Sequence, residues 1–154
     1  MLFRSQAVAG YTPVRPQSGG VVQVVSGTFT NTLTTTSTSY VSQGASLSIT
    51  PKFATSKVFI SVVIPAWVNA SGQYCQLTIY RNGTTNLSGS FGCMSVVGGP
   101  NTYDTGIPIQ YLDSPATTSS TSYAIYIKSP YGGSVAAGEA SFCGTYMTLM
   151  EIAA

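Results

Sequence analysis

Periodicity restricts this chain more than any other feature. Short segments in which β-branched or aromatic residues alternate with hydroxyl-bearing ones recur roughly every ten positions, and helical spacing is nearly absent. Val21 to Val25 is almost wholly β-branched, and after Gly27 the threonines Thr28, Thr30, Thr32 and Thr34 alternate with Phe29, Asn31 and Leu33. Branching at Cβ costs side-chain freedom against a helical turn and fits a pleated surface, so this tract is read as extended. Ser39 to Ser42 and Ala45 to Thr50 follow, the latter with Leu47 and Ile49 on one face and Ser46 and Ser48 on the other. Pro51 has no amide hydrogen to donate and ends that ladder, leaving 52–56 as a turn.

Lys57 to Val63 reads as a more deeply buried strand, because Val58, Phe59, Ile60, Val62 and Val63 leave only Ser61 polar. Tyr74 to Arg81 returns to alternation, with Cys75, Leu77 and Ile79 opposite Tyr74, Gln76, Thr78 and Tyr80. Asn82-Gly83 then marks a type I′ hairpin, since both residue types tolerate positive φ, and Thr84 to Ser90 is expected to pair back. Weaker strands are read at Cys93 to Val97, Ile107 to Leu112 and Ser122 to Lys128, and Ser141 to Ile152 closes the series. About nine strands at this spacing predict an all-β chain, an antiparallel β-sandwich that is jelly-roll-like. Residues 1–20 contain Gly10, Pro13, Pro16, Gly19 and Gly20 without periodicity and are read as an extended N-terminal arm; 21–154 is the β-sandwich domain.

A length of 154 residues fits one domain that buries roughly 70% of its unfolded surface. The hydrophobic fraction of 44% is ordinary, but only 6% of residues are charged against about 25% in typical domains. Ser and Thr together number 41, so hydroxyls must cover the surface in place of charges. Arg4 and Arg15 are the only charges before Lys52, which makes a basic arm on a neutral body. That excess is too small for a nucleic-acid footprint, which needs clustered Lys and Arg. The longest apolar run, 58–68, is broken by Ser61 and Pro65, so no membrane span is expected, and the N-terminus lacks the apolar stretch of a signal peptide.

The absence of His removes the usual base for a nucleophilic Ser or Cys, and neither a GxSxG elbow nor a phosphate loop is present. What remains of enzyme chemistry is a pair of carboxylates, Asp104 and Asp113, close enough in sequence to be neighbours. Loop aspartates more often form turns through side-chain bonds to backbone amides, and two carboxylates are too few for a calcium site. No catalytic residue, cofactor or metal is therefore expected. Cys75, Cys93 and Cys143 are odd in number and widely spaced; buried free thiols are the main reading and one disulfide the other. The sequons at Asn69, Asn82 and Asn86 are what a chain this rich in Ser and Thr holds by chance.

The aromatic residues are the remaining candidates. A face bearing Tyr74, Gln76, Thr78 and Tyr80 is not a full core face, and a body with so few charges is poorly suited to solitude. Both observations fit a subunit contact, with Tyr74, Tyr80, Tyr123 and Tyr126 as its candidate residues. Leu2, Phe3, Arg4, Tyr11 and Arg15 are the candidate partner-binding residues of the arm, suited to strand addition or groove docking with the arginines meeting acidic groups. Trp67, Tyr103, Asp104 and Tyr131 are candidate glycan contacts, aromatic rings for stacking and a carboxylate for hydroxyls.

Several stretches carry a family likeness: Val21-Val22-Gln23-Val24-Val25, the Thr/Ser tract up to Tyr40-Val41, Leu47-Ser48-Ile49-Thr50-Pro51, Ser56-Lys57-Val58, Ile79-Tyr80-Arg81-Asn82-Gly83, Asp113-Ser114-Pro115, Thr121-Ser122-Tyr123 and Leu149-Met150-Glu151-Ile152. Their order and spacing over about residues 21–152 resemble a small β-domain of tailed-phage virion proteins, found in head decoration or cement proteins and at tail-fibre tips. The resemblance implies a homotrimeric knob without catalytic activity, located on the virion surface. With only about 20 arm residues before the domain, a capsid decoration or cement protein docked on the major capsid protein or another virion protein is expected. The alternative is a tail-fibre tip or receptor-binding module that recognises host-surface glycan.

Overall fold

The computed structural model describes residues 17–68, 71–98, 105–138 and 144–154. Among these the regular structure is all strand: β1 (Val21–Phe29), β2 (Leu33–Thr35), β3 (Val41–Ile49), β4 (Lys57–Val68), β5 (Tyr74–Arg81), β6 (Thr85–Asn86), β7 (Met94–Val97), β8 (Thr105–Asp113), β9 (Thr121–Lys128), β10 (Val135–Ala137) and β11 (Thr145–Ile152). All pairings are antiparallel and form two sheets.

In the first sheet β11 and β10 pair with successive parts of β4, at 57–63 and 66–68, while β8 runs along the opposite edge of β4. β1 lies outside β11 and β2 outside β10, so each of these two pairs is one broken ladder and the sheet is four ladders wide. The second sheet runs β3–β9–β5, with β6 and β7 sharing the last edge. The chain alternates between sheets except where β5 is followed by β6 and β7 in the second, and its first ladder pairs with its eighth, second with seventh, third with sixth and fourth with fifth. That nesting of ribbons is a jelly roll, as the strand count and spacing predict.

The inner faces supply the core. Val58, Ile60, Val62 and Ile64 of β4 are fully buried, as are Leu77 and Ile79 of β5, Tyr123, Ile125 and Ile127 of β9, and Met147 and Leu149 of β11. Each such aliphatic side chain withdrawn from water contributes about 1.5–3 kcal/mol. The turn after β5 has Asn82 at φ 51° and Gly83 at φ 67°, both left-handed as the hairpin reading requires.

Three local readings change. β4 alternates, with Phe59 half-buried and Val63 43% exposed on the outer face of the first sheet. After the hairpin only Thr85 and Asn86 join the ladder. Asn86 Nδ2 instead donates to the Gly89 carbonyl at 2.8 Å, and Thr78 Oγ1 donates to Asn86 Oδ1 at 2.6 Å, so side chains close the segment. The threonine tract is broken at 30–32 before β2 resumes it. At the base of the arm the Gly19 amide donates to the Ala153 carbonyl at 2.7 Å, and the Ala153 amide donates to the Gly20 carbonyl at 2.9 Å. Residues 17–20 are thus tied to the end of β11.

Candidate functional site

Both described carboxylates lie on one cross-strand row of the inner face, where Glu151 of β11 and Asp113 of β8 flank Val58. Asp113 ends a strand and does not form a turn. Arg81 Nη1 lies 2.9 Å from each of its oxygens, and Tyr123 donates its hydroxyl to Oδ2 at 2.8 Å. One carboxylate thus joins β8 of the first sheet to β5 and β9 of the second. Burial pushes the Tyr123 phenol well above its ordinary value, and the bond to Asp113 with its negative charge adds to this.

Glu151 is 0% exposed. Burial alone would raise its pKa, but the Lys52 amide at 2.8 Å, the Gln23 side-chain amide at 2.6 Å and the Phe53 amide at 3.1 Å outweigh that, and the carboxyl sits below its ordinary value. Gln23 Nε2 also donates to the Thr50 carbonyl at 2.7 Å, so Glu151 anchors β1 and the β3–β4 turn to β11. Neither carboxylate is arranged for proton transfer to a substrate. Among the described residues no group of three or more His, Cys, Asp or Glu gathers as a metal site would. Cys75 is buried and free, its thiol pushed up to about 12 by desolvation, and Cys93 is half-buried and free. Cys143 lies outside the described residues.

The outer faces are different. On the first sheet Val24, Met150, Phe59 and Leu112 align across β1, β11, β4 and β8. Two residues along, Ser26, Thr148, Ser61 and Gln110 form a polar row, and two further, Thr28, Tyr146, Val63 and Pro108 form the next. Val24 is 55% exposed, Leu112 50% and Tyr146 52%, and no charge falls on these three rows.

The outer face of the second sheet is aromatic. Tyr80 and Tyr126 stack with centroids 4.1 Å apart, Tyr40 meets Tyr80 edge-on at 6.2 Å, and Lys128 Nζ stands 4.5 Å from the Tyr40 ring centre. Burial, with smaller contributions from Cys93, Tyr80 and Cys75, pushes the Tyr40 phenol up to about 12. Beside this cluster lies a groove of about 380 Å³ lined by Tyr74, Gln76, Ser90, Phe91, Ser95, Lys128, Pro130 and Tyr131. Tyr74 and Tyr131 meet edge-on there at 5.4 Å.

Of the expected contact tyrosines, Tyr74, Tyr80 and Tyr126 share this outer face. Tyr123 does not: it has the inward register of β9 and is 0% exposed, so it is a core residue. Of the expected glycan contacts, Tyr131 stands on a turn and is 66% exposed. Trp67 is not on a loop; it is half-buried within β4, paired with Ala136, and does not line the groove. Tyr103 and Asp104, and the arm residues Leu2, Phe3, Arg4, Tyr11 and Arg15, lie outside the described residues. Sequence reading passed over Phe91, which is 82% exposed. Its signal was a lone aromatic in the stretch Gly89-Ser90-Phe91-Gly92.

No protein-family model and no curated protein matches the chain. Among solved structures it is similar to the VP2 subviral particle of infectious bursal disease virus, at 15% identity and a TM-score of 0.40, covering 86% of this chain and 37% of that one. The T=1 particles derived from the same virus align at 13% identity and a TM-score of 0.42, over 86% of this chain and 36% of that one. The Gx strain of the virus gives 14% identity and a TM-score of 0.39, over 88% and 37%. The chain thus spans little more than a third of those proteins. The jelly-roll assignment rests on the ladder pairs described above.

Proposed function

We propose that this chain is a non-enzymatic structural protein of a virus particle. More finely, it is a homotrimeric knob that decorates or cements a tailed-phage capsid at the virion surface, anchored to the major capsid protein or another virion protein through residues 1–20. The observation that carries this reading is the outer face of the first sheet, where three cross-strand rows hold no charge and Val24, Val63, Leu112 and Tyr146 stand 43–55% exposed. Large apolar side chains left exposed together on one sheet face are what a contact surface presents. Three copies turning this face toward a common axis would cover it.

The tyrosine face serves that purpose less well. Tyr40, Tyr80 and Tyr126 already pack on one another, whereas Val24, Val63, Leu112 and Tyr146 stand exposed. The family resemblance supports the virion setting, and the engagement of Asp113 and Glu151 in internal bonds supports a role without catalysis. Anchoring through the arm fits its base, which leaves the sandwich beside Ala153 at the edge of the first sheet. Imaging of particles that contain this chain tests the reading. Threefold knobs on the head, lost when residues 1–20 are deleted, are expected; density only at the distal end of a tail contradicts it and favours the receptor-binding alternative.

A further inference from the structure

We propose that the groove on the outer face of the second sheet binds an acidic saccharide. Its floor is one cross-strand row, in which Gln76 of β5 lies between Ser95 of β7 and Lys128 of β9. Its walls are Tyr74 and Tyr131 with Pro130, and Phe91 with Ser90. A volume of about 380 Å³ is at the lower end of small-ligand sites, which run roughly 300–1,000 Å³. The shape suits a few sugar rings.

The chemistry follows from the lining. A pyranose presents apolar C–H patches on its faces and hydroxyls on its rim, so it needs aromatic walls together with a polar floor. Tyr131, edge-on to Tyr74 yet 66% exposed, and Phe91, 82% exposed, offer the walls, and the Gln76 amide and Ser95 hydroxyl both donate and accept. Lys128 sets the charge. Its ammonium donates to the Ser90 carbonyl at 2.7 Å and stands 4.5 Å from the Tyr40 ring centre, which leaves one donor for a ligand. Among the described residues that line the groove none is a carboxylate, and the described acids Asp113 and Glu151 are engaged elsewhere. A sugar carboxylate supplies the missing negative charge, and a neutral sugar does not. A second copy of the chain is the poorer occupant, since a flat sheet face cannot enter a concave site walled by two projecting rings.

This inference is independent of where on a particle the protein sits. Calorimetric titration of the full chain with trigalacturonate, and with galactotriose as its neutral match, tests it. Trigalacturonate should bind, with galactotriose at least about tenfold weaker, a difference of about 1.4 kcal/mol. Tyr131→Ala should weaken trigalacturonate about tenfold, Lys128→Gln should abolish the preference for it, and Thr118→Ala in the exposed segment between β8 and β9 should change neither. Oligomer mass and circular dichroism, unchanged in all three variants, show that the fold is intact. No heat of binding with either sugar up to about 10 mM, affinity unaltered by Tyr131→Ala, or equal affinity for both sugars overturns the proposal. A fall in oligomer mass on Tyr131→Ala also overturns it, because the groove would then be a contact between copies.

Discussion

Asp113 and Glu151 carry more of the fold than their small number suggests, because each closes a gap that the ladders leave open. Replacing Asp113 with Asn removes the charge that Arg81 faces at a site where the Asp side chain is 8% and the Arg side chain 25% exposed. A fully buried pair broken in this way costs about 3–5 kcal/mol, and the partial exposure of Arg81 lowers the expectation to about 2 kcal/mol in urea unfolding. Tyr123→Phe, which removes one bond to the same charge, should cost about 1–2 kcal/mol. Equal stability of both variants and the parent would show that the inter-sheet bridge is not structural.

Glu151 has a different signature. Its folded carboxyl holds a proton less tightly than an ordinary one with a pKa of 4.5. Its contribution is therefore complete above about pH 4.5 and is lost as pH falls through the lowered folded value. Unfolding midpoints between pH 7 and 2 should show this loss in the parent, and Glu151→Gln should be less stable at pH 7 with a shallower fall in acid. A steeper fall in the variant contradicts the assignment. Neither carboxylate was legible as a structural lock in the sequence, since the partners of Asp113 are 32 and 10 residues away and depend on which strands meet.

Among the elements, those built on local chemistry were legible. The Asn82-Gly83 turn is one, because its positive φ values are a property of two adjacent residues. Gly83→Val should cost about 1–2 kcal/mol, measured by thermal unfolding, because a β-branched side chain is strained at φ 67°. The alternating strands β3, β5 and β9 were legible for the same reason. β10 was not: Val135–Ala137 is three residues long, and its place is set by pairing with β4 and β2. Gly138 follows it at φ 78°, and a Cβ there would collide with the Asn31 carbonyl and the Gln43 side chain. Gly138→Ala should therefore loosen β2 and β10 while sparing the hairpin, which amide exchange resolves segment by segment. Uniform protection in that variant would mean the collision is relieved elsewhere. β4 was misread because an apolar residue turned outward looks the same in sequence as one turned inward.

For the whole molecule, the jelly roll followed from strand number and spacing, while the surface that would meet other copies did not. The outer rows of the first sheet draw Val24, Phe59, Leu112 and Met150 from four separate segments, and only the register brings them together. If these rows are covered in the assembly, subunit folding and association are linked, and stability rises with concentration. Leu112→Asp places a charge within that contact and should weaken the oligomer, whereas Tyr126→Asp on the second sheet should have the smaller effect. The most direct test is the mass of the purified full chain by sedimentation or light scattering over a dilution series. The account predicts a species of three 16.0 kDa chains that persists to low concentration, with no folded monomer beneath it. A stable, monodisperse 16.0 kDa monomer would contradict it.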